Sequence, residues 1–376
     1  MIRRGFMITS TTNEKLTQLL NEWYLEIRSR RISNAERLKQ EIDFKFTKLK
    51  KETGEGLQDQ NLLLYYYLLE FRYNYLIDNL GLSQESFNKI DSFDQPTDNF
   101  LTYYYHFFKA IHASELGNFH LAKEHYEKAE SFLKYVPDQL EKAEFYYKLA
   151  TFHYDTQQAL VSIKHATKVK DMYLNHDGYE LNVAFCDNIL GLACMNLKEW
   201  ELAEEHFTAA MDQFQKIGEE KFIIMVRHNL GWMYSTQNLS ALAIRYLTEV
   251  VEKSPQHYKA LYVKAKEHYK LKEHEIANKL IEKGLKICRD SKIEGYQHHY
   301  EILNALNQGV KAEELEGIIL RGITYFEREE LYDYTQEYQE KLAVKFYEEN
   351  LWEEASKYFY FSKKAREKLF DKGALK

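Results

Sequence analysis

Residues 222–255 read Phe-Ile-Ile-Met-Val-Arg-His-Asn-Leu-Gly-Trp-Met-Tyr-Ser-Thr-Gln-Asn-Leu-Ser-Ala-Leu-Ala-Ile-Arg-Tyr-Leu-Thr-Glu-Val-Val-Glu-Lys-Ser-Pro. Small residues at Gly231 and Ala243 allow the two helices of one hairpin to approach closely. Tyr234 and Leu247 are spaced to fill the gaps toward a neighbouring hairpin. The spacing is typical of a tetratricopeptide repeat, and because one hairpin cannot bury this surface alone, we expect further copies.

The same pattern recurs along the chain, with small residues in the place of Gly231 at Ala110, Ala150, Gly191, Ala265 and Ala343. The wide interval between the last two must hold one divergent copy, near residues 300–325. The sequence therefore predicts seven hairpins, of which the early ones are longer than the standard period of about 34 residues. Pro137 and Pro255 fall between copies, where a helix must end.

A three-helix bundle is predicted ahead of the repeats. The first helix covers residues 12–28, and the second begins at a capping box formed by Ser33 and Glu36. Gly54 and Gly56 end the second helix. The third helix, from about Gln58 to Asn79, is apolar on nearly all sides and therefore needs several packing partners.

These patterns predict an all-α protein of three parts. Residues 1–79 form the three-helix bundle, and the more polar residues 80–100 form a linker with a short helix. Residues 101–376 form a right-handed superhelix of about seven tetratricopeptide-type helical hairpins.

Composition excludes several other classes of protein. The 3 Pro and 15 Gly leave little room for flexible linkers, and a net charge of −7 gives no electrostatic reason to expect direct nucleic-acid binding. The sequence has no apolar run long enough for a bilayer and no apolar signal-peptide core at its start. We expect a cytoplasmic protein that does not bind membranes, with its 3 Cys as small buried hydrophobes.

The sequence contains no Gly-rich phosphate loop, no Gly-x-Ser-x-Gly and no His-Glu-x-x-His, which argues against a self-contained active site of known type. The first helices of stacked hairpins instead line a groove. An Asn side chain there can pair with both the N–H and the C=O of an extended peptide. The predicted peptide-binding residues are Asn188, Asn196, Asn229, His228, Tyr154 and Tyr262. Any one of these Asn residues could equally be an internal cap or a solvated side chain.

Five segments stand in a specific order: Asn-Glu-Trp-Tyr at 21–24, Asp-Gln-Asn-Leu-Leu-Leu-Tyr-Tyr at 59–66, Leu-Leu-Glu-Phe-Arg-Tyr at 68–73, Glu-Lys-Ala-Glu-Phe at 141–145 and His-Asn-Leu-Gly at 228–231. In this order they resemble the Rap family of Gram-positive bacilli over essentially the whole chain. The resemblance implies an N-terminal bundle that binds response regulators. It also implies a repeat domain that binds short Phr signalling peptides, which are secreted and re-imported into the cell.

Some Rap proteins remove the aspartyl-phosphate of a sporulation-type response regulator by inserting a bundle glutamine beside it. The resemblance places that glutamine at Gln60, with Gln58 and Asn61 beside it in the regulator-binding surface. A neutral amide can orient an attacking water without repelling the phosphoryl oxygens. Family members commonly carry Glu where this chain has Gln58. No cofactor of its own is implied, and a Mg²⁺ would belong to the partner's receiver domain.

The resemblance also maps a peptide-anchoring Asn onto Asn229, and a family Asp that pairs with a basic peptide side chain onto Asn196. A cognate peptide would then lack a strong cation at that position. The leading hypothesis is a quorum-sensing phosphatase of response regulators that a Phr-type peptide inhibits. The alternative is peptide-regulated sequestration of a competence-type regulator's DNA-binding domain without chemistry. A more remote hypothesis is a scaffold that binds a protein tail and is insensitive to small peptides.

Overall fold

The computed structural model describes residues 2–54, 57–78 and 81–373, with side chains from residue 13 onward except at 53 and 373. All regular secondary structure in these ranges is helical. Within them, every helix is too short or too polar to cross a bilayer. The chain divides into two compact units: a first unit of Met1–Glu115 and Leu121–Phe145, and a second unit of Leu116–His120 and Tyr146–Lys376.

The first unit begins with the predicted bundle, formed by α1 (Ile2–Arg28), α2 (Ile32–Thr53) and α3 (Gln60–Ile77). The capping box predicted at Ser33 and Glu36 is wrong. Arg30 adopts a left-handed φ of 58° that turns the chain, and α2 starts directly after it with Arg31 at its N-cap, so that Ser33 already lies inside the first turn.

Helix α3 lies at the centre of the first unit. It starts at Gln60 rather than near Gln58, because the Asp59 side chain caps it by accepting a hydrogen bond from the Leu62 N–H at 3.1 Å. Its buried side chains occur on all sides, as predicted from its apolar sequence. Trp23 of α1 is fully buried with its ring 5.6 Å from that of Tyr73. Gly56 and Asn79, to which the sequence assigned helix ends, lie outside the described residues.

A short 3₁₀ helix, Gln84–Phe87, continues into α4 (Asn88–Asp91) in the segment predicted to be a linker. Phe87 is fully buried, and its ring lies 5.0 Å from that of Phe71 in α3. This segment therefore packs against the bundle. The functional division predicted at residues 79 and 100 stays a prediction.

Seven helical hairpins follow, as the repeated spacing predicts. They are α5 (Asn99–Glu115) with α6 (Phe119–Phe132), α7 (Gln139–Asp155) with α8 (Ala159–Leu174), α9 (Glu180–Asn196) with α10 (Trp200–Ile217), α11 (Glu220–Thr236) with α12 (Ser240–Lys253), α13 (Tyr258–Lys270) with α14 (His274–Asp290), α15 (Glu294–Gln308) with α16 (Ala312–Arg328), and α17 (Tyr332–Glu348) with α18 (Trp352–Gly373). A 3₁₀ turn, Leu133–Tyr135, separates the first two hairpins. The divergent sixth copy is thus a complete hairpin. The boundary between the two units falls inside α7.

The close helix approach predicted at Gly231 is present. A methyl group at this position would lie 2.8 Å from Leu247 Cγ, and both Ala243 and Leu247 are fully buried. The turn within each hairpin reverses the chain through one residue with left-handed φ: Gly117, Gln157, Lys198, Asn238, Lys272, Gly309 and Asn350. The three cysteines are buried and free, as expected from the apolar patterns around them.

Candidate functional site

The start of α3 presents three neutral amides to solvent. Gln58, Gln60 and Asn61 are all exposed. Asp59, which caps the helix, also accepts a hydrogen bond from the Asn13 amide at 3.3 Å. The Gln60 amide nitrogen lies 3.5 Å from the Gln58 carbonyl oxygen, at the outer limit of a hydrogen bond. The residues predicted to contact a response regulator therefore lie together at one anchored helix terminus.

Phe44 of α2 is a further candidate contact residue that the sequence analysis did not identify. Its side chain is 69% exposed, although it belongs to the bundle. The sequence does indicate this exposure, because Phe44 lies outside the apolar face formed by Leu38, Ile42 and Phe46. An exposed aromatic ring is typical of residues that bury against a protein partner.

Two of the predicted peptide-binding asparagines contact each other. The Asn229 amide of α11 donates a hydrogen bond of 2.7 Å to the Asn188 side-chain oxygen of α9. Both side chains are 5% exposed. The pair joins the third hairpin to the fourth, and each amide keeps unused capacity, because an Asn side chain can donate two hydrogen bonds and accept two.

His228 lies next to this pair in the sequence and is also buried. Its ring centroid is 4.6 Å from that of His257 and 6.3 Å from that of Trp232. Burial lowers the pKa of His228 well below its usual value, and His257 and Lys259 lower it further, so that the imidazole is neutral. Within the described residues, His228 Nδ1 is buried without a hydrogen-bond partner. We name Asn188, Asn229 and His228 the asparagine cluster.

A pocket of about 400 Å³ opens among the first helices of the last four hairpins. We name it the lysine pocket, and it is lined by Ser235, Thr236, Asn238, Tyr262, Lys266, Tyr269, Lys270, Leu303, Leu306, Glu337, Tyr338 and Lys341. Inside it, the Tyr262 and Tyr338 hydroxyls lie 3.2 Å apart, and the Tyr338 hydroxyl lies 2.5 Å from His299 Nδ1. Because burial lowers the pKa of His299 to about 3, this chain of hydrogen bonds is uncharged.

Two hydrogen bonds within the second unit join segments that lie far apart in sequence. The Tyr325 hydroxyl donates to the Gly117 carbonyl oxygen at 2.9 Å. The Asp333 N–H donates to the Gln157 side-chain oxygen at 3.4 Å. Turns of the first two hairpins therefore contact the sixth hairpin and the start of α17. No local sequence pattern predicts these contacts, because each pair is separated by more than 170 residues.

Comparisons with known proteins agree with this architecture. A family model described as response regulator aspartate phosphatase H, N terminal, matches residues 10–78, and a tetratricopeptide repeat model matches residues 180–256. Regulatory protein RapF of Bacillus subtilis (strain 168) is 26% identical over 380 residues, covering 94% of each chain. Response regulator aspartate phosphatase A of the same organism is 28% identical over 356 residues, covering 91% of each chain.

A crystal structure of a Rap protein complexed with competence and sporulation factor has the same fold, with a TM-score of 0.77 at 24% identity. The match covers 96% of this chain and 99% of that chain. The chain belongs to the Rap family. One of these Rap relatives is named a regulatory protein and the other a phosphatase, at similar identity. Membership in the Rap family therefore does not by itself assign hydrolysis.

In this Rap chain, the structure brings two of the six predicted peptide-binding residues, Asn188 and Asn229, into direct contact. Tyr262 lies in the lysine pocket instead. Tyr154 of α7 is buried, and burial, together with the nearby Asp155, raises its pKa well above the usual value. Asn196 is the exposed last residue of α9. In this structure the Asn229 amide donates to Asn188 within the cluster.

Proposed function

We propose that this Rap protein regulates a bacterial response regulator and is controlled by a short signalling peptide that binds at the asparagine cluster. One observation carries the proposal: two neutral amides of neighbouring hairpins are buried against each other, and the next residue to Asn229 in the sequence, His228, has a buried Nδ1 without a partner among the described residues. Buried polar groups in native proteins are nearly always hydrogen-bonded. A peptide backbone would supply both the donors and the acceptors that these three side chains can use.

Peptide binding at this cluster is an exchange of hydrogen bonds. The Asn229 amide donates to Asn188 in the described conformation, and a peptide carbonyl would take the place of that acceptor. The exchange costs little, because both states satisfy the amide and neither carries a net charge. The binding energy of the peptide is then available to select one conformation of the repeats.

The second unit contains two long-range hydrogen bonds that peptide binding could stabilise. The Gly117–Tyr325 and Gln157–Asp333 hydrogen bonds connect early turns with the last two hairpins. A peptide that binds more tightly when these contacts are formed stabilises them by the same free energy. We propose that this change of state lowers the affinity of the bundle for the response regulator.

At the other site, Gln60 is the proposed catalytic residue for hydrolysis of the regulator's aspartyl-phosphate. Its exposed amide stands at an anchored helix terminus and would orient the attacking water. Gln58 and Asn61 flank it as contact residues, and Phe44 adds an exposed apolar contact. The second candidate function is sequestration of the regulator without hydrolysis, and the presence of Gln58 in place of Glu favours testing it directly.

The peptide branch is tested with Asn229→Ala. Candidate pentapeptides are titrated against the full chain, and their effect on the capture of phosphorylated response regulators is measured. Removal of the Asn229 amide should weaken peptide binding about ten-fold or more and abolish the peptide effect on capture. Asn278→Ala is the matched control, since Asn278 is a half-buried residue of α14 whose amide donates to Glu282 at 2.8 Å. Equal behaviour of the two variants would contradict the assignment.

The enzymatic branch is tested by release of phosphate from a phosphorylated receiver domain. We expect Gln60→Ala to reduce the rate by about 100-fold or more while binding persists, because the amide acts on the water. Gln40→Ala, at another exposed glutamine of the bundle, should leave the rate unchanged. Binding without turnover in the wild-type chain would establish sequestration instead.

A further inference from the structure

The lysine pocket lies close to the asparagine cluster along a single helix. Asn229 and Ser235 both belong to α11, and Ser235 lines the pocket. Six residues of α-helix advance about 9 Å. An extended pentapeptide spans about 16–18 Å. The distance between the two sites along the α11 axis is therefore shorter than an extended pentapeptide.

The charges in and behind the pocket favour an anion. Lys266, Lys270 and Lys341 line it, and Glu337 is the acidic residue among its lining. Glu337 pairs with two of these lysines, at 3.4 Å from Lys266 and in closer contact with Lys341. The third, Lys270, pairs with Glu267 at 2.7 Å. These five groups carry three positive and two negative charges, so one further carboxylate would balance them.

Glu267 is satisfied independently of any ligand. It is fully buried behind the pocket, and the Ser235 and Ser240 hydroxyls each donate to it at 2.6 Å. It is therefore a fixed part of the wall. The charge of Lys341, by contrast, depends on its surroundings. Burial lowers the pKa of Lys341 and Lys266 also lowers it, although Glu337 opposes both. An incoming anion would stabilise the charged form of Lys341.

We infer that the lysine pocket receives a carboxylate of the bound peptide, either its C-terminal carboxylate or an Asp or Glu side chain. This inference rests on the proposed peptide binding and adds the chemistry of one ligand group to it. The Tyr262 and Tyr338 hydroxyls and the apolar Leu303 and Leu306 complete the wall. Charge-assisted hydrogen bonds from lysine to carboxylate are stronger than neutral ones, so this subsite would contribute to the choice of peptide.

A synthetic mixture of random pentapeptides tests the inference on the wild-type chain. The mixture is prepared once with free C-terminal carboxylates and once with C-terminal amides, and the retained peptides are identified by mass spectrometry. Preferential retention of the free acids, by about ten-fold, identifies the C-terminus as the source of the carboxylate. Retention of amides that contain Asp or Glu identifies a side chain. Equal retention without acidic enrichment overturns the inference.

Variants of one lysine locate the effect in the pocket. Lys341→Met should remove the preference for carboxylates, and Lys341→Arg should keep it, because Arg retains the charge. The matched control is Lys345→Met, on the same helix, where Lys345 pairs with Glu349 at 3.3 Å outside the pocket. An undiminished preference in Lys341→Met overturns the assignment to this pocket.

Failure of the inference can be distinguished from failure of the proposed function. If both mixtures are retained equally and the retained peptides are not enriched in Asp or Glu, peptides bind but the pocket does not recognise a carboxylate. If the chain retains neither mixture, the proposed peptide binding is overturned and the inference falls with it. Thermal unfolding of each variant separates loss of the subsite from loss of the fold.

Discussion

The first unit buries charges, whereas the asparagine cluster of the second unit buries neutral amides and an imidazole. In the first unit, the Arg72 guanidinium of α3 lies 2.9 Å from the Glu144 carboxylate of α7, and both side chains are at most 1% exposed. Arg30 approaches the same carboxylate at 3.6 Å. In the second unit, Asn229 donates to Asn188 at 2.7 Å with no charge on either side chain.

The comparison distinguishes a buried ion pair, which must stay intact, from a buried amide pair, which can change its hydrogen-bond partner. A buried carboxylate needs its cationic partners in every populated state, because leaving it alone costs several kcal/mol, on the order of 3–5. A buried amide loses much less when it changes partner, since another amide can replace the first. The Glu144 site therefore fixes α3 against α7, and the asparagine cluster is suited to exchange its internal partner for a ligand.

The largest effect is expected from Arg72→Met, which leaves the Glu144 carboxylate with Arg30 as its remaining ion-pair partner among those described. We expect the free energy of unfolding of the first unit to fall by about 3–5 kcal/mol. Urea unfolding of the full chain, followed by circular dichroism, measures the change.

Arg289→Met is the control for this comparison. Arg289 pairs with Glu301 at 3.2 Å on the surface, where its side chain is 58% exposed. Loss of such an exposed pair should change the free energy of unfolding by about 0.5 kcal/mol or less. If both variants lose the same amount, the buried pair is not the fixed element that the comparison requires.

A smaller effect is expected from acidification, through the imidazoles beside the asparagine cluster. Burial and, to a lesser extent, the nearby Lys259 together lower the pKa of His257 to about 4. The unfolded chain therefore binds a proton more readily than the folded chain. His257 therefore contributes to the free energy of unfolding above a pH of about 6.5, and this contribution is lost as the pH falls toward 4. Between pH 7 and pH 5, we expect a loss of about 2 kcal/mol relative to His257→Asn.

Asn is chosen because His257 caps α13, where its Nδ1 accepts a hydrogen bond from the Ala260 N–H at 3.2 Å. Glu141, another buried carboxylate of the first unit, responds in the opposite direction. Burial raises the pKa of Glu141 to about 7, although Tyr104 and Arg28 oppose it. Its stability contribution is present below pH of about 4.5 and is lost as the pH rises toward 7. Parallel pH profiles of His257→Asn and Glu141→Gln would contradict this difference.

The predictability of the two sites from sequence also differs. The hairpins were predicted because Gly231 and Ala243 mark a helix contact that repeats locally, and the structure confirms all seven. The asparagines were singled out because Asn is unfavourable inside helices. Their mutual contact depends on the rotation of α9 against α11, which residue spacing does not determine.

The Arg72–Glu144 pair and the lysine pocket were not predicted, although Arg72 and Glu144 lie in two of the segments that carry the family resemblance. Arg72 and Glu144 lie 72 positions apart, and each alone is typical of an exposed helix residue. The lysine pocket combines side chains of four helices, so its charge depends on packing over more than 100 residues. The false capping box at Ser33 shows the opposite error, since the local pattern was correct but the turn at Arg30 moved the helix start.

Among the variants of buried sites, the smallest change in stability is expected from Asn188→Ala, which removes the acceptor of Asn229 without leaving a charge. An unsatisfied buried amide costs about 1–3 kcal/mol, and because the small cavity can admit water, we expect about 1 kcal/mol by urea unfolding. Peptide affinity should fall less than in Asn229→Ala, since the Asn229 amide no longer has to leave an internal partner before it binds a peptide carbonyl. Affinity lost equally in both variants would mean that Asn188 contributes as much to peptide binding as Asn229, and that the pair acts as one binding element instead of exchanging one partner for another.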